Sequence, residues 1–288
     1  MKKLGKRVLA FCLACVLAVT VVTVMEPVTA QAATKSITLY KGEAIYFTDY
    51  SKVKSVSSSK KSVVTVKKDK ENNIHANLYA KKTGKATVTV KTGYGTNKLN
   101  VTVKPLKFSV GMKDMGNGRI LFSIKNNTKQ TFDDAIVEYT IKDEAGNVCE
   151  KDKIHVYDLV AGKTVYDSCY YSQNSYTINL SESSARVIAV SHNLNRIYKN
   201  QSSNIAVSAK EEGDKLVIKT KNKLKKDTVS GRVFILFYDA DGKVVDMASS
   251  SIYLQAGAVD TTSRSLLYGI EYDSYKPIPV AYSYSLRD

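Results

Sequence analysis

The strongest constraint on the fold is a repeat. Residues 119–126 (RILFSIKN) match 215–222 (KLVIKTKN), and 134–148 (DAIVEYTIKDEAGNV) match 230–244 (SGRVFILFYDADGKV). The offset is 96 residues and slips to 95 where DLVAGK (158–163) meets YLQAGA (253–258). A period this long means two copies of a whole domain, because solenoid units are much shorter. Each copy reads as several short strands with turn signals and no sustained helical period, so each is expected to be a small β-sandwich.

The two copies differ informatively. In DEAG (143–146) and DADG (239–242) an Asp that can bond nearby backbone amides precedes a Gly suited to the left-handed conformation, which predicts a hairpin turn. A calcium loop of the EF type needs ligands at positions 1, 3 and 5, a Gly at 6 and a Glu at 12, and neither copy supplies them. One strand earlier, Val137, Tyr139 and Ile141 match Val233, Ile235 and Phe237, which marks the core face. The opposite face reads Glu138, Thr140, Lys142 in the first copy and Phe234, Leu236, Tyr238 in the second. Three large apolar residues on an outward face are expected to meet something. The favoured partner is the neighbouring module or the chain's own C-terminal segment, and an external ligand is the alternative.

Residues 34–104 carry further strands, with strict alternation in Ala86-Thr87-Val88-Thr89-Val90 and Leu99-Asn100-Val101-Thr102-Val103. Leu39-Tyr40-Lys41-Gly42-Glu43, Ser57-Ser58-Ser59 leading to Val63-Val64-Thr65-Val66, and Thr83-Gly84-Lys85-Ala86-Thr87-Val88-Thr89-Val90 resemble the bacterial Ig-like domains of group 2, although Val56 stands where many members have Trp. Phe234 to Val245 followed by Leu254-Gln255-Ala256-Gly257 resembles the FxLYD-type β-sandwiches of exported proteins, and the first copy departs from that pattern at Glu138 to Asp143. The expected fold is all-β: three tandem Ig-like β-sandwich modules at 34–104, 105–200 and 201–288, after a signal peptide at 1–33. Pro105 marks the first boundary because it cannot donate into a central strand.

The N-terminus supports export. Lys2, Lys3, Lys6 and Arg7 precede an uncharged run from Val8 to Met25 and the small-residue stretch Ala30-Gln31-Ala32-Ala33, which together read as a secretory signal peptide. An uncleaved membrane anchor is the alternative. The mature chain of about 255 residues keeps a net charge of +13, with 39 basic against 26 acidic residues. Its lysines read as scattered, so solubility is the first explanation and attraction to an anionic wall polymer or glycan the second. Lys60, Lys61, Lys67, Lys68, Lys223, Lys225 and Lys226 are the candidate polyanion contacts. Cys149 and Cys169, on adjacent predicted strands, allow either a disulfide or two separate thiols, since the bond requires a specific Cα spacing.

Catalytic signatures are not found. The three histidines, His75, His155 and His192, lie in no H-E-x-x-H, G-x-S-x-G or Cys–His pattern, and no Gly-rich phosphate loop occurs. No enzyme activity, cofactor, metal or nucleic-acid partner is expected. Tyrosines cluster at Tyr166, Tyr170, Tyr171, Tyr176 and at Tyr268, Tyr272, Tyr275, Tyr282, Tyr284, which suits strand packing first and sugar stacking second. The expected function is that of a secreted or cell-surface protein of a Gram-positive-like bacterium that binds a protein or glycan, or acts as a spacer. The alternative is an envelope protein held on anionic polymer.

Overall fold

The computed structural model describes residues 22–23, 34–116, 118–171, 177–266 and 270–286. The expected signal segment therefore lies outside the described residues, apart from β1 (Val22–Thr23), which runs parallel to β3 with Val22 opposite Tyr46. Strands account for nearly all regular structure, and among the described residues one 3-10 turn, Ser202–Asn204, is the exception. By compactness the chain forms two units, Met1–Leu106 with Ala189–Asn195, and Lys107–Ile188 with Arg196–Asp288.

The first unit holds β2 (Thr34–Tyr40), β3 (Ala44–Thr48), β4 (Ser55–Ser58), β5 (Val64–Lys68), β6 (His75–Ala80), β7 (Gly84–Lys91) and β8 (Thr96–Lys104). Two sheets form, ordered β2-β8-β7-β4 and β1-β3-β6-β5. Alternation dictates their inner faces: Ile37 and Leu39, Ala86, Val88 and Val90, and Leu99, Val101 and Val103 are buried in one shared core with Ile45, Phe47 and Leu78. Between β2 and β3 the chain changes sheet through a turn at Gly42 (φ 86°). The carboxylate of Glu43, 1% exposed, closes that turn by accepting from the Tyr40 amide at 2.9 Å. Its other oxygen takes the His192 amide at 3.1 Å and lies 2.6 Å from His192 Nδ1. Leu194 joins the same core. The stretch 189–195 thus belongs with residues 1–106, a detour within the 105–200 segment.

The second unit contains the duplication, strand for strand. Its first copy is β9 (Phe108–Gly116), β10 (Arg119–Asn126), β11 (Phe132–Lys142), β12 (Val148–Leu159), β13 (Thr164–Tyr170) and β14 (Ser184–Ser191, counted in this unit as far as Ile188), in sheets β13-β10-β9 and β12-β11-β14. After β15 (Arg196–Asn200), the second copy is β16 (Ile205–Glu212), β17 (Lys215–Asn222), β18 (Val229–Tyr238), β19 (Val244–Leu254), β20 (Val259–Ser265) and β21 (Ser274–Leu286), in sheets β16-β17-β20 and β15-β21-β18-β19. Each copy is a pair of three-stranded sheets, and β15 adds an edge to the second through Asn200 opposite Tyr282.

Small features repeat as well. The β11–β12 ladder shifts register after Ile141 and the β18–β19 ladder after Phe237, positions 96 residues apart. A fully buried Asn ends β10 and β17: Asn126 Nδ2 donates to the carbonyls of Gln130 and Leu159, and Asn222 Nδ2 to those of Asp227, Leu254 and Gln255. Their Oδ1 atoms accept the amides of Thr128 and Leu224. One side chain thus satisfies carbonyls from two separate stretches of chain, which explains why both matched segments end in Asn.

Candidate interaction surfaces

The repeated acidic turn is a ladder turn in both copies. Asp143 accepts the Asn147 amide on its carboxylate at 2.8 Å, and Asp239 accepts the Lys243 amide at 2.7 Å. In each, the glycine amide donates to the aspartate carbonyl at 3.0 Å, and Gly146 and Gly242 take φ of 81° and 75°. The Asn147 side-chain amide, which donates to the Asp143 carboxylate at 3.1 Å, and the Asn147 backbone amide hold that carboxyl below its ordinary value. The described residues contain no group of three or more His, Cys, Asp or Glu placed to hold a metal ion.

The apolar face of β18 is occupied. Leu236, 4% exposed, packs in a cluster with Val244 and with Met115 and Leu121 of the first copy, with Tyr238 and Tyr166 half-buried beside them, and Phe234 is 1% exposed. The Tyr166 ring meets Phe234 edge-on at 5.6 Å. Phe234 and Leu236 are therefore internal to the unit, covered by its own residues, and Tyr238 is half-buried at their edge. Around the cluster runs a polar seam. Arg119 and Asp246 form an ion pair with side chains 9% and 7% exposed, Arg232 reaches Asp158 at 3.3 Å, and the Tyr198 hydroxyl donates to Asp133 at 2.7 Å. Apolar strand, buried pair and rim hydrogen bonds make the two sandwiches one piece.

Asp158 is the one described non-glycine residue with positive φ, 59°. Burial raises its carboxyl above the ordinary value of 3.8, with Arg232 and the Tyr282 hydroxyl pulling the other way. A raised folded value means its contribution to stability is complete below the unfolded value and is lost as pH rises through the folded one. Asp158→Asn removes that titration, and Asn tolerates the left-handed backbone. The variant is therefore expected to gain on the wild type between about pH 3 and pH 7, read as the difference in urea midpoint for the second unit. A difference that stays constant or moves against the variant would refute this.

The cysteines are free thiols. β12 and β13 are consecutive in sequence but fall in different sheets, so Cys149 and Cys169 sit in opposing layers instead of across a ladder. Cys169 is half-buried beside the Tyr139 hydroxyl, and burial pushes its thiol up to about 11. Cys149 is shallower, its Sγ 3.8 Å from the Asn147 carbonyl. Each histidine is held by a polar side chain: His75 by Thr48 at 2.9 Å, His155 by Asp134 at 3.2 Å and His192 by Glu43.

Most tyrosines serve packing. Tyr272 and Tyr275 flank Phe237, and Tyr198 meets Tyr282 and Tyr284. Tyr170 and Tyr253 are the most exposed, and Tyr176 and Tyr268 lie outside the described residues.

The candidate lysines are not confined to one unit. Lys60 and Lys61 lie in the turn that precedes β5, and Lys67 and Lys68 end that strand, so the two pairs stand on either side of it. Lys223, Lys225 and Lys226 lie exposed in the β17–β18 connection of the other unit. Nor is the charge scattered evenly. Residues 34–106 carry fifteen lysines against four carboxylates, a net +11, and each of the two repeats carries +1. Counting by module instead of over the whole chain would have exposed this in the sequence.

No family model matches the chain, and no curated protein does. Among solved structures it is similar to the FN1-FN3 domains of chicken CNTN1, with 10% identity over 85% of this chain and 89% of that one, at a TM-score of 0.19. It is also similar to the MG0-NIE-MG1 domains of native alpha-2-macroglobulin from Escherichia coli, with 11% identity over 78% and 92% of the two chains and a TM-score of 0.18. Likeness at these scores carries no argument about function. The protein is all-β, a tandem of paired-sheet modules, on the evidence of its own strands and cores.

Proposed function

We propose that the chain is an exported, non-catalytic surface protein of a bacterium, in which the duplicated sandwiches act as a locked spacer and the N-terminal module makes the contact. The observation that carries this reading is the burial of Phe234 and Leu236 against the first copy, which turns two modules into one mechanical piece. The family assignments fit it. Group 2 bacterial Ig-like character for 34–104 is supported by the Leu39–Glu43 turn, where Glu43 has a specific structural task. FxLYD-type character for the repeats is supported by the matched Asp–Gly turns. Export rests on the N-terminal charge and apolar run. Expression in a Gram-positive host, followed by fractionation and N-terminal sequencing, tests it. Recovery from the surface or medium of a chain beginning near residue 34 supports the reading, and an intact chain in the cytosol overturns it.

A second reading, retention on anionic envelope polymer, is favoured by the concentration of net charge in one module. It predicts release of the chain from cells between low and physiological salt, because exposed charge pairs are screened over a Debye length of about 8–10 Å.

A further inference from the structure

We infer that the outer face of the sheet β2-β8-β7-β4 is a binding surface for a linear polyanion. The inference rests on the retention reading and gives it a location. None of the residues of these four strands is Asp or Glu, while Lys35, Lys85, Lys91, Lys98 and Lys104 all belong to them. Burial of Ile37, Leu39, Ala86, Val88, Val90, Leu99, Val101 and Val103 on the inner face forces the alternate residues outward. That face is consequently written in one chemistry of hydroxyls, amides and ammonium groups.

The register arranges them. Lys85 lies opposite Thr102, with Lys104 diagonal to it, and Lys98 lies opposite Thr89, with Lys91 diagonal to it. Diagonal neighbours on a sheet face are about 7–8 Å apart. Two lysine pairs therefore stand at the two ends of the face, with six residues from Lys85 to Lys91 and six from Lys98 to Lys104, about 20 Å of strand. Between the pairs Ser36, Asn100 and Thr87 align across three strands, where Thr87 Oγ1 donates to Asn100 Oδ1 at 3.2 Å. A shallow depression of about 440 Å³ lies on this strip, lined by Ser36, Ser59, Lys85, Thr87, Asn100 and Thr102. All four lysines of the two pairs are exposed.

The module's four carboxylates lie off the face. Glu43 is buried against His192 and the Tyr40 amide at the end of β2, Asp69 and Glu71 are in the β5–β6 connection, and Asp49 accepts from Asn97 Nδ2 at 3.2 Å at the start of β8. The surface can neutralise successive phosphates or carboxylates of a flexible chain at its ends and donate hydrogen bonds to them between. A flat, wide strip with separated charge pairs suits a polymer better than a single small anion, which would engage one pair only.

The test uses the mature full-length chain and long-chain inorganic polyphosphate, with polygalacturonate as the carboxylate polymer and anionic phospholipid vesicles as a third probe. Four contacts predict a salt slope of about −3 in log K against log salt, by analogy with single-stranded nucleic acid. Lys85→Glu with Lys98→Glu is expected to weaken polyphosphate binding at least tenfold and to roughly halve the slope. Lys223→Glu with Lys225→Glu makes the same change in net charge elsewhere and is expected to shift affinity by less than threefold. Both double variants alter exposed side chains and are checked for unchanged melting. Equal losses in the two variants would overturn the assignment of this face while leaving retention by overall charge intact. Failure of the wild type to bind either polymer would overturn the retention reading itself. Binding to vesicles in preference to both polymers would overturn the choice of ligand.

Discussion

Arg119→Ala is expected to destabilise the second unit by about 3–5 kcal/mol, the usual cost of leaving one member of a buried ion pair uncompensated. The pair joins β10 of the first copy to β19 of the second across 127 residues of sequence, and both side chains are more than nine-tenths buried. For a unit of this size the loss corresponds to a fall of roughly 6–20 °C in its melting temperature. Asp246 also accepts the Met247 amide at 2.6 Å, so its charge retains one hydrogen bond but loses its counterion. Arg119 Nε has no hydrogen-bond partner among the described residues, which makes the native pair an imperfect one. It follows that replacing both members, Arg119→Met with Asp246→Leu, should recover much of the loss. Differential scanning calorimetry of the full chain reads both results. A single variant within about 1 kcal/mol of wild type would mean that the pair is effectively solvated.

Gly231→Ala should cost a comparable amount by a different route. Gly231 lies in β18 opposite Ala281 of β21 with φ of 148°, where an added Cβ would fall 2.2 Å from the Val280 carbonyl oxygen and 2.7 Å from Ala281 Cα. Both neighbours are backbone, so relief requires β21 to move away from β18. Backbone strain of about 1–3 kcal/mol adds to overpacking of similar size. The counterpart position in the first copy is Ala135, fully buried in β11. Ala135→Gly is therefore expected to cost only about 0.5–1 kcal/mol of backbone entropy plus the lost methyl contacts. Urea unfolding of both variants distinguishes them, and equal costs would mean that β21 yields freely.

The duplication was legible in the sequence down to the turn. The Asp–Gly motif fixes its own geometry through hydrogen bonds within five residues, so its reading needed no distant partner. Burial parity was legible for the same reason: Val88, Val90 and Leu99 face inward because strands alternate. The apolar outer face of β18 showed that something must cover it, but the covering residues, Met115, Leu121 and Tyr166, carry no local mark of that task. The sequence left Cys149 and Cys169 open between a disulfide and two thiols, because neighbouring strands in sequence need not be neighbours in a sheet. The part played by 189–195 was hidden because His192 meets Glu43 across 149 residues.

By itself, the sequence determined the all-β class, the duplicated module, the inner face of each strand and the charge carried by each module. All of these follow from local periodicity and composition, which act within a few residues. The tertiary structure decided which faces stay exposed: it closed Phe234 and Leu236 inside the second unit and gathered Lys85, Lys91, Lys98 and Lys104 on one acid-free face. Those outcomes depend on strand order and register between segments far apart in the chain, and alternation alone specifies neither.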